Sequence, residues 1–127
     1  MLANSLVRGA ARSTLYRSFS TVPVTNVASY LKLNVKDEPT AAKLDEHMKS
    51  MSKKMKASPG LFRVTRQVCK AEWAYELSFV WDSKENYGAW KESDLQKEVH
   101  AIYQSALEDC GIKEADVYAG ARVVDDF

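Results

Sequence analysis

The residue types best suited to chemistry lie between residues 81 and 100 of the chain. Trp81 ends an aromatic, strand-like run, Trp90 follows in a helical pattern, and His100 comes ten residues after Trp90. Histidine can carry a proton or bind a metal near neutral pH. Each residue also has a purely structural interpretation, because Trp81 shares the parity of the aromatic positions in its strand, Trp90 can pack onto a sheet, and His100 can be an exposed helix residue.

Other candidate ligands are isolated in the sequence. Cys69 and Cys110 form no Cys-x-x-Cys motif and have no histidine at metal-ligand spacing, so a structural zinc site and a disulfide are both disfavoured. His47 borders an apolar helical stripe that contains three methionines, which is typical of a helix packed on a twisted sheet. On the last strand, Tyr118 and Arg122 can face an anionic or phenolic ligand.

The elements that position Trp90 and His100 follow from hydrophobic periodicity. Alternation predicts strands over residues 27–36, 61–70, 73–81 and 116–124. Helical spacing predicts one helix with Thr40 as N-cap that ends before Pro59, and a second from Ser83 to Cys110 that breaks near Ser93. The order β-α-β-β-α-β predicts an α+β, ferredoxin-like fold with both helices on one face of the sheet.

The two predicted helices can cover only one face of the sheet, so the other face has no predicted cover within the chain. Strands one, two and four carry apolar residues on both faces, so the uncovered face predicts a homodimer formed by sheet packing. The expected structure is a dimeric α+β barrel.

The N-terminal residues differ in composition from the rest of the chain. Residues 1–19 contain three arginines and no acidic residue, which is typical of a mitochondrial transit peptide, with a plastid peptide as the alternative. The expected division is a transit peptide (1–19), a linker (20–26), one domain (27–124) and an acidic tail (125–127). Because the domain has no basic excess and no long apolar run, neither a nucleic-acid partner nor a membrane span is expected. The expected location is the mitochondrial matrix.

The Pro59-Gly60 lead-in to the second strand and the junction from Phe79 to Trp90 resemble the antibiotic biosynthesis monooxygenase (ABM) superfamily of dimeric α+β barrels, over residues 27–124. The Trp81-x-Ser83 motif before a short helix is shared across that superfamily and indicates the fold. Trp90-Lys-Glu-Ser93, with His100 ten residues after Trp90, is similar to the Isd-type haem-degrading branch.

This resemblance implies haem as both cofactor and substrate, with an external electron donor. It implies that His100 ligates the haem iron, and that Trp90 contacts and distorts the macrocycle as a cofactor-binding and catalytic residue. The catalytic asparagine of that branch lies on the first strand, where Asn34 is the candidate although it stands near the strand's far end. Ser29 or Leu31 occupies the equivalent position if the register differs.

Two other functions remain open on the sequence. One is a cofactor-independent monooxygenase that oxidises small quinol-like aromatic compounds, because an aromatic pocket suits either a porphyrin or a small ring. The other is a non-catalytic binding module or accessory subunit of the same fold, since a fold alone does not define a function.

Overall fold

The computed structural model describes Pro23 and residues 25–125. The predicted transit peptide, residues 1–19, lies outside this range, as do residues 20–22, 24 and 126–127. The predicted linker is therefore described only at Pro23, Thr25 and Asn26, and the acidic tail only at Asp125.

Strands and helices follow one another as the sequence predicts. The strands are β1 (Asn26–Asn34), β2 (Leu61–Cys69), β3 (Ala74–Trp81) and β4 (Tyr118–Val124). The helices are α1 (Glu38–Met55), α2 (Lys84–Lys91) and α3 (Asp94–Cys110), with a 3-10 turn at Glu114–Asp116 before β4. The predicted break near Ser93 is confirmed, because it separates α2 from α3.

The four strands form one antiparallel sheet in the order β2-β3-β1-β4. In the centre of the sheet Leu31 of β1 pairs with Leu77 of β3 on one side and with Ala119 of β4 on the other. This topology confirms the ferredoxin-like prediction.

Alternate residues of the strands define two faces of the sheet. The helix face packs against α1 and α3 and contains the core, in which Trp81 is 0% and Tyr75 is 1% exposed. The open face carries the other set of residues and has no helix against it in the described chain; its β1 positions include Ala28, Tyr30 and Lys32. The predicted coverage of one face by helices is confirmed.

Side-chain caps set where the helices begin. Asp37 Oδ1 accepts a hydrogen bond from the Thr40 backbone N–H at 2.9 Å, so Asp37 is the N-cap of α1 and the prediction of Thr40 is wrong. The helix starts earlier than predicted because Asp37 is extended and Pro39 suits the first helical turn. Ser83 and Ser93 cap α2 and α3 in the same way.

The alternating pattern of β2 fails at Phe62. The sequence places Phe62 on one face with Val64 and Val68, but a β-bulge lies between Leu61 and Arg63 and leaves Phe62 55% exposed. An extra residue in one strand interrupts the two-residue period, so parity cannot be carried across it.

Candidate functional site

A cavity of about 250 Å³ lies between the helix face of the sheet and α3. Its walls come from all three helices, three strands and the 3-10 turn before β4. The lining residues are Ser29, Leu31, Met51, Met55, Phe79, Trp90, Gln96, Val99, His100, Tyr103, Glu114 and Ala119. The cavity is therefore mainly apolar and aromatic, with a small number of polar groups that can orient a ligand.

Trp90 forms one wall of the cavity and is itself held by the core. Its ring lies 5.7 Å from that of Trp81, whose ring is also 5.2 Å from that of Tyr87. The indole N–H of Trp81 donates to Ser58 Oγ at 3.4 Å. The prediction that Trp81 is a core residue is confirmed, and Trp81 supports the residue that borders the cavity.

His100 and Tyr103 stand one turn apart on the flank of α3 that borders the cavity. Their ring centroids are 5.8 Å apart, and His100 is exposed whereas Tyr103 is partly buried. Burial raises the pKa of the Tyr103 hydroxyl, and the nearby Glu114 carboxylate raises that pKa further. Tyr103 therefore keeps its proton at neutral pH and is a hydrogen-bond donor.

Asn34 does not lie at this cavity. It follows buried Leu33 in β1, so strand alternation puts it on the opposite face, and its Nδ2 donates to the Glu72 carbonyl at 3.1 Å. At the cavity, the β1 positions are Ser29 and Leu31. The structure thus brings Trp90 and His100 together and separates Asn34 from both.

Gln96, Tyr103 and Glu114 line the cavity but were not predicted from the sequence as site residues. Gln96 and Tyr103 share a helical flank with His100, and this spacing is a signal that could have identified them. Ser29, which the sequence offered as an alternative position on the first strand, lies on the core-facing parity of β1 and lines the cavity. Glu114 had no signal, because the turn that carries it has no periodicity.

A second group of polar and aromatic residues occupies the open face. The Arg122 guanidinium lies 3.6 Å from the centroid of the Tyr30 ring, and Arg122 Nη2 is 3.5 Å from Glu76 Oε2. The rings of Tyr30 and Tyr118 are 5.8 Å apart. Hydrogen bonds from Tyr118 and then Arg122 lower the pKa of Tyr30. We call these four residues the open-face cluster.

Within Pro23 and residues 25–125, no group of three or more His, Cys, Asp or Glu side chains could hold a metal ion. No helix in the same part of the chain is both long and apolar enough to cross a membrane.

No family model matches the sequence, and no curated protein matches it. Solved structures do match the fold. The ActVA-Orf6 monooxygenase of Streptomyces coelicolor, in complex with nanaomycin D, is 19% identical with a TM-score of 0.62, over 82% of this chain and 90% of its own. SnoaB, a cofactor-independent oxygenase from Streptomyces nogalater, is 13% identical with a TM-score of 0.56, over 81% of this chain and 94% of its own.

A dimeric ferredoxin-like protein from Jannaschia sp. CCS1 is 11% identical with a TM-score of 0.57, over 78% of this chain and 99% of its own. At these identities the likeness is one of fold. The chain has the antibiotic biosynthesis monooxygenase fold, as the sequence resemblance implied.

Proposed function

We propose that this protein is an ABM-type monooxygenase that binds a small hydroxylated aromatic compound in the cavity beside α3. The convergence of Trp90, His100 and Tyr103 on one cavity carries the proposal. SnoaB, a cofactor-independent oxygenase of the same fold, supports a reaction that uses no bound cofactor.

The size of the cavity supports a small ring system as the ligand. Its volume of about 250 Å³ is below the range of about 300–1,000 Å³ common for drug-sized ligands. Phe79 and Trp90 offer aromatic surfaces against which a flat ring can pack, and Met51 adds an adaptable apolar wall. A phenol with one or two fused rings meets these dimensions.

The polar residues supply the acid-base chemistry that such a substrate needs. The imidazole of His100 can accept the phenolic proton, and the resulting phenolate is electron-rich enough to reduce dioxygen. Tyr103 keeps its own proton and can donate a hydrogen bond to the oxyanion. Removing the proton in an apolar cavity thus prepares the substrate to react.

The reaction balances without an external reductant. One oxygen atom of O₂ bonds to a ring carbon, and the other leaves as water with the phenolic hydrogen and the hydrogen displaced from the ring. The phenol loses four electrons and becomes a quinone, and O₂ gains the same four. The substrate itself is therefore the electron donor.

The test measures oxygen uptake and quinone absorbance with 1-naphthol as the probe. Replacing His100 by Ala should slow turnover by roughly 10²–10⁴-fold, the usual contribution of a general base. His47 is the other histidine of the chain and does not line the cavity, so His47→Gln is the matched control and should retain turnover. Equal rates in the two variants would refute the role of His100. No uptake by the wild type would favour a non-catalytic module or accessory subunit.

Haem binding is the second candidate, and the observation that favours it is that Trp90 and His100 share one cavity. His100 would supply the nitrogen ligand to iron, and haem would supply oxygen chemistry driven by an external electron donor. Two observations oppose haem binding. The cavity is small for a porphyrin, and Asn34 lies on the opposite face of the sheet, where it cannot act beside His100. The residues present fit a small phenol better than haem.

A haemin titration separates the two candidates. A saturable shift of the haemin absorption band that His100→Ala removes and His47→Gln retains would establish histidine-ligated haem. If the band then decays only when a reductant is added, haem is also the substrate. No saturable shift would leave the phenol oxygenase.

We also propose that the protein is a homodimer joined through the open face. Tyr118 is 63% exposed on that face, next to the ion pair of Arg122 and Glu76. A two-fold axis would set the cluster of one protomer against the same surface of the other. The dimeric ferredoxin-like protein from Jannaschia supports this arrangement.

The arginine-rich N-terminus supports a mitochondrial location for the protein. The full chain fused to a fluorescent protein should enter mitochondria, and a chain that begins at residue 20 should not. Entry into plastids instead would replace the mitochondrial assignment, and equal distribution of both fusions would remove it.

A further inference from the structure

A second cavity, of about 310 Å³, lies on the other side of α1. The first cavity borders α3 and β4, whereas this one borders β2. Its lining residues are Asp45, Met48, Lys49, Ser52, Lys56, Val64, Thr65, Arg66, Tyr75 and Leu77. We call it the β2 groove.

The groove exists because the two long helices do not cover the whole sheet. α1 packs against α3, and β2 is the edge strand on the far side of α1. Val64 and Val68 on the helix face of β2 are consequently only half-buried, and the space beside them stays open. Its apolar floor is formed by Val64 with Met48 and Leu77, both of which are buried.

One end of the groove is fixed by a polar network. Asp45 Oδ1 accepts a hydrogen bond from the Tyr75 hydroxyl at 2.5 Å, and Asp45 Oδ2 is 2.6 Å from Arg66 Nη1. The charge of Asp45, the acidic residue among the described lining residues, is thus already matched by Arg66. Burial, with the Asp45 hydrogen bond second, raises the pKa of Tyr75, so its hydroxyl stays protonated and keeps the network in place.

The remaining charges of the groove are positive. Lys49 of α1 and Lys56, the C-cap residue of that helix, both line it and are about two helical turns apart. Lys49 Nζ is 3.7 Å from Glu46 Oε2, but both side chains are largely exposed. This ion pair is therefore weak and leaves Lys49 able to bind an anion. The groove therefore combines an apolar floor with an excess of cationic side chains.

We infer that the β2 groove is a binding site for a small organic anion, namely a carboxylate attached to an aliphatic body. The aliphatic part would lie on Met48, Val64 and Leu77, and the carboxylate would be held by Lys49 and Lys56. The volume lies at the lower end of the range common for ligand pockets, about 300–1,000 Å³. This site does not depend on the oxygenase chemistry proposed above.

Octanoate is the probe, and methionine labelled at its methyl carbon is the reporter. Met48 lines the groove, whereas Met51 and Met55 line the first cavity. Octanoate should therefore shift the Met48 methyl resonance saturably and shift those of Met51 and Met55 much less. The neutral analogue 1-octanol should bind more weakly, because it lacks the charge that the lysines recognise.

Variants on one helix supply the control. The double replacement of Lys49 and Lys56 by Gln should weaken octanoate binding by about tenfold, as expected for two partly exposed ion pairs. Lys53→Gln removes one lysine charge from α1 outside the groove and should leave binding unchanged. Because these measurements need no turnover, they test octanoate binding independently of the proposed phenol oxygenase activity.

Three outcomes would overturn the inference. One is the absence of any saturable shift of Met48 with octanoate. Another is an equally strong shift of Met51 and Met55, which would place octanoate in the first cavity. Equal binding of octanoate and 1-octanol, unaffected by the lysine replacements, would reduce the groove to an apolar surface without anion recognition.

Discussion

The helix face and the open face of the sheet are made from alternate residues of the same strands, but they carry different chemistry. On the helix face, large apolar side chains such as Trp81 and Phe79 are buried against the helices and leave one cavity beside α3. On the open face, Tyr30 and Arg122 form a cation–π contact at the surface. Strand alternation lets one sheet separate a candidate ligand cavity from a surface suited to a partner.

The largest expected effect is the loss of Trp81 from the helix face. Trp81 is fully buried against Trp90 and Tyr87, so Trp81→Ala leaves a cavity and should lower the free energy of unfolding by about 3–5 kcal/mol. Tyr118→Ala on the open face should change the stability of the monomer by much less, because Tyr118 is exposed. Denaturant unfolding of both variants at low protein concentration measures the difference, and equal losses would contradict it.

A second prediction compares a tyrosine on each face. Tyr103→Phe removes the proposed hydrogen-bond donor of the cavity and should slow 1-naphthol turnover by roughly 10²-fold, with little change in folding. Tyr118→Phe removes a hydroxyl from the open-face cluster and should leave the initial rate unchanged. Steady-state kinetics on both variants measures the effect; a Tyr103→Phe enzyme as fast as wild type would mean that Tyr103 is only a wall residue.

A third prediction concerns the open face alone. Arg122→Glu places a second carboxylate beside Glu76 and removes the cation–π contact with Tyr30, so the proposed dimer should weaken by about tenfold or more. Lys53→Glu makes the same charge change at an exposed position of α1 and should have no effect on assembly. Sedimentation over a range of concentrations measures both; a wild-type chain that remains monomeric throughout would remove the dimer.

The smallest expected effect concerns the contact between α1 and α3, which lies away from the open face and from the cavity. His47 Nε2 is 2.8 Å from Asp109 Oδ2 and joins α1 to α3. The hydrogen bond from His47, followed by the charge of Lys43, lowers the pKa of Asp109 in the folded protein. A lowered carboxyl pKa stabilises the fold above the usual carboxyl pKa, and this contribution is lost as the pH falls below about 4.

Asp109→Asn should therefore lower the melting temperature slightly at pH 7, and the gap from wild type should narrow at pH 3. Thermal unfolding of both proteins at the two pH values checks this. A gap that stays the same at pH 3 would show that the Asp109 charge does not contribute.

Much of this architecture can be read from local sequence. Trp81 shares its parity with Tyr75 and Phe79, so its burial was predictable, and Gly111 ends α3 with a left-handed φ of 69° as its position after Cys110 predicts. Local signals failed at Phe62, where a bulge breaks the period, and at Thr40, where Asp37 competes for the cap.

The sequence by itself determined the order of the elements, the face on which strand residues lie where no bulge interrupts the strand, and the flank of α3 that carries His100, because these follow from periods of 2 and 3.6 residues. Tertiary structure alone decided that Trp90 and His100 meet in one cavity, that Ser29 rather than Asn34 accompanies them, and that Tyr30 lies beside Arg122. These depend on strand register and on how far the helices extend across the sheet, which are long-range packing results that no local pattern encodes.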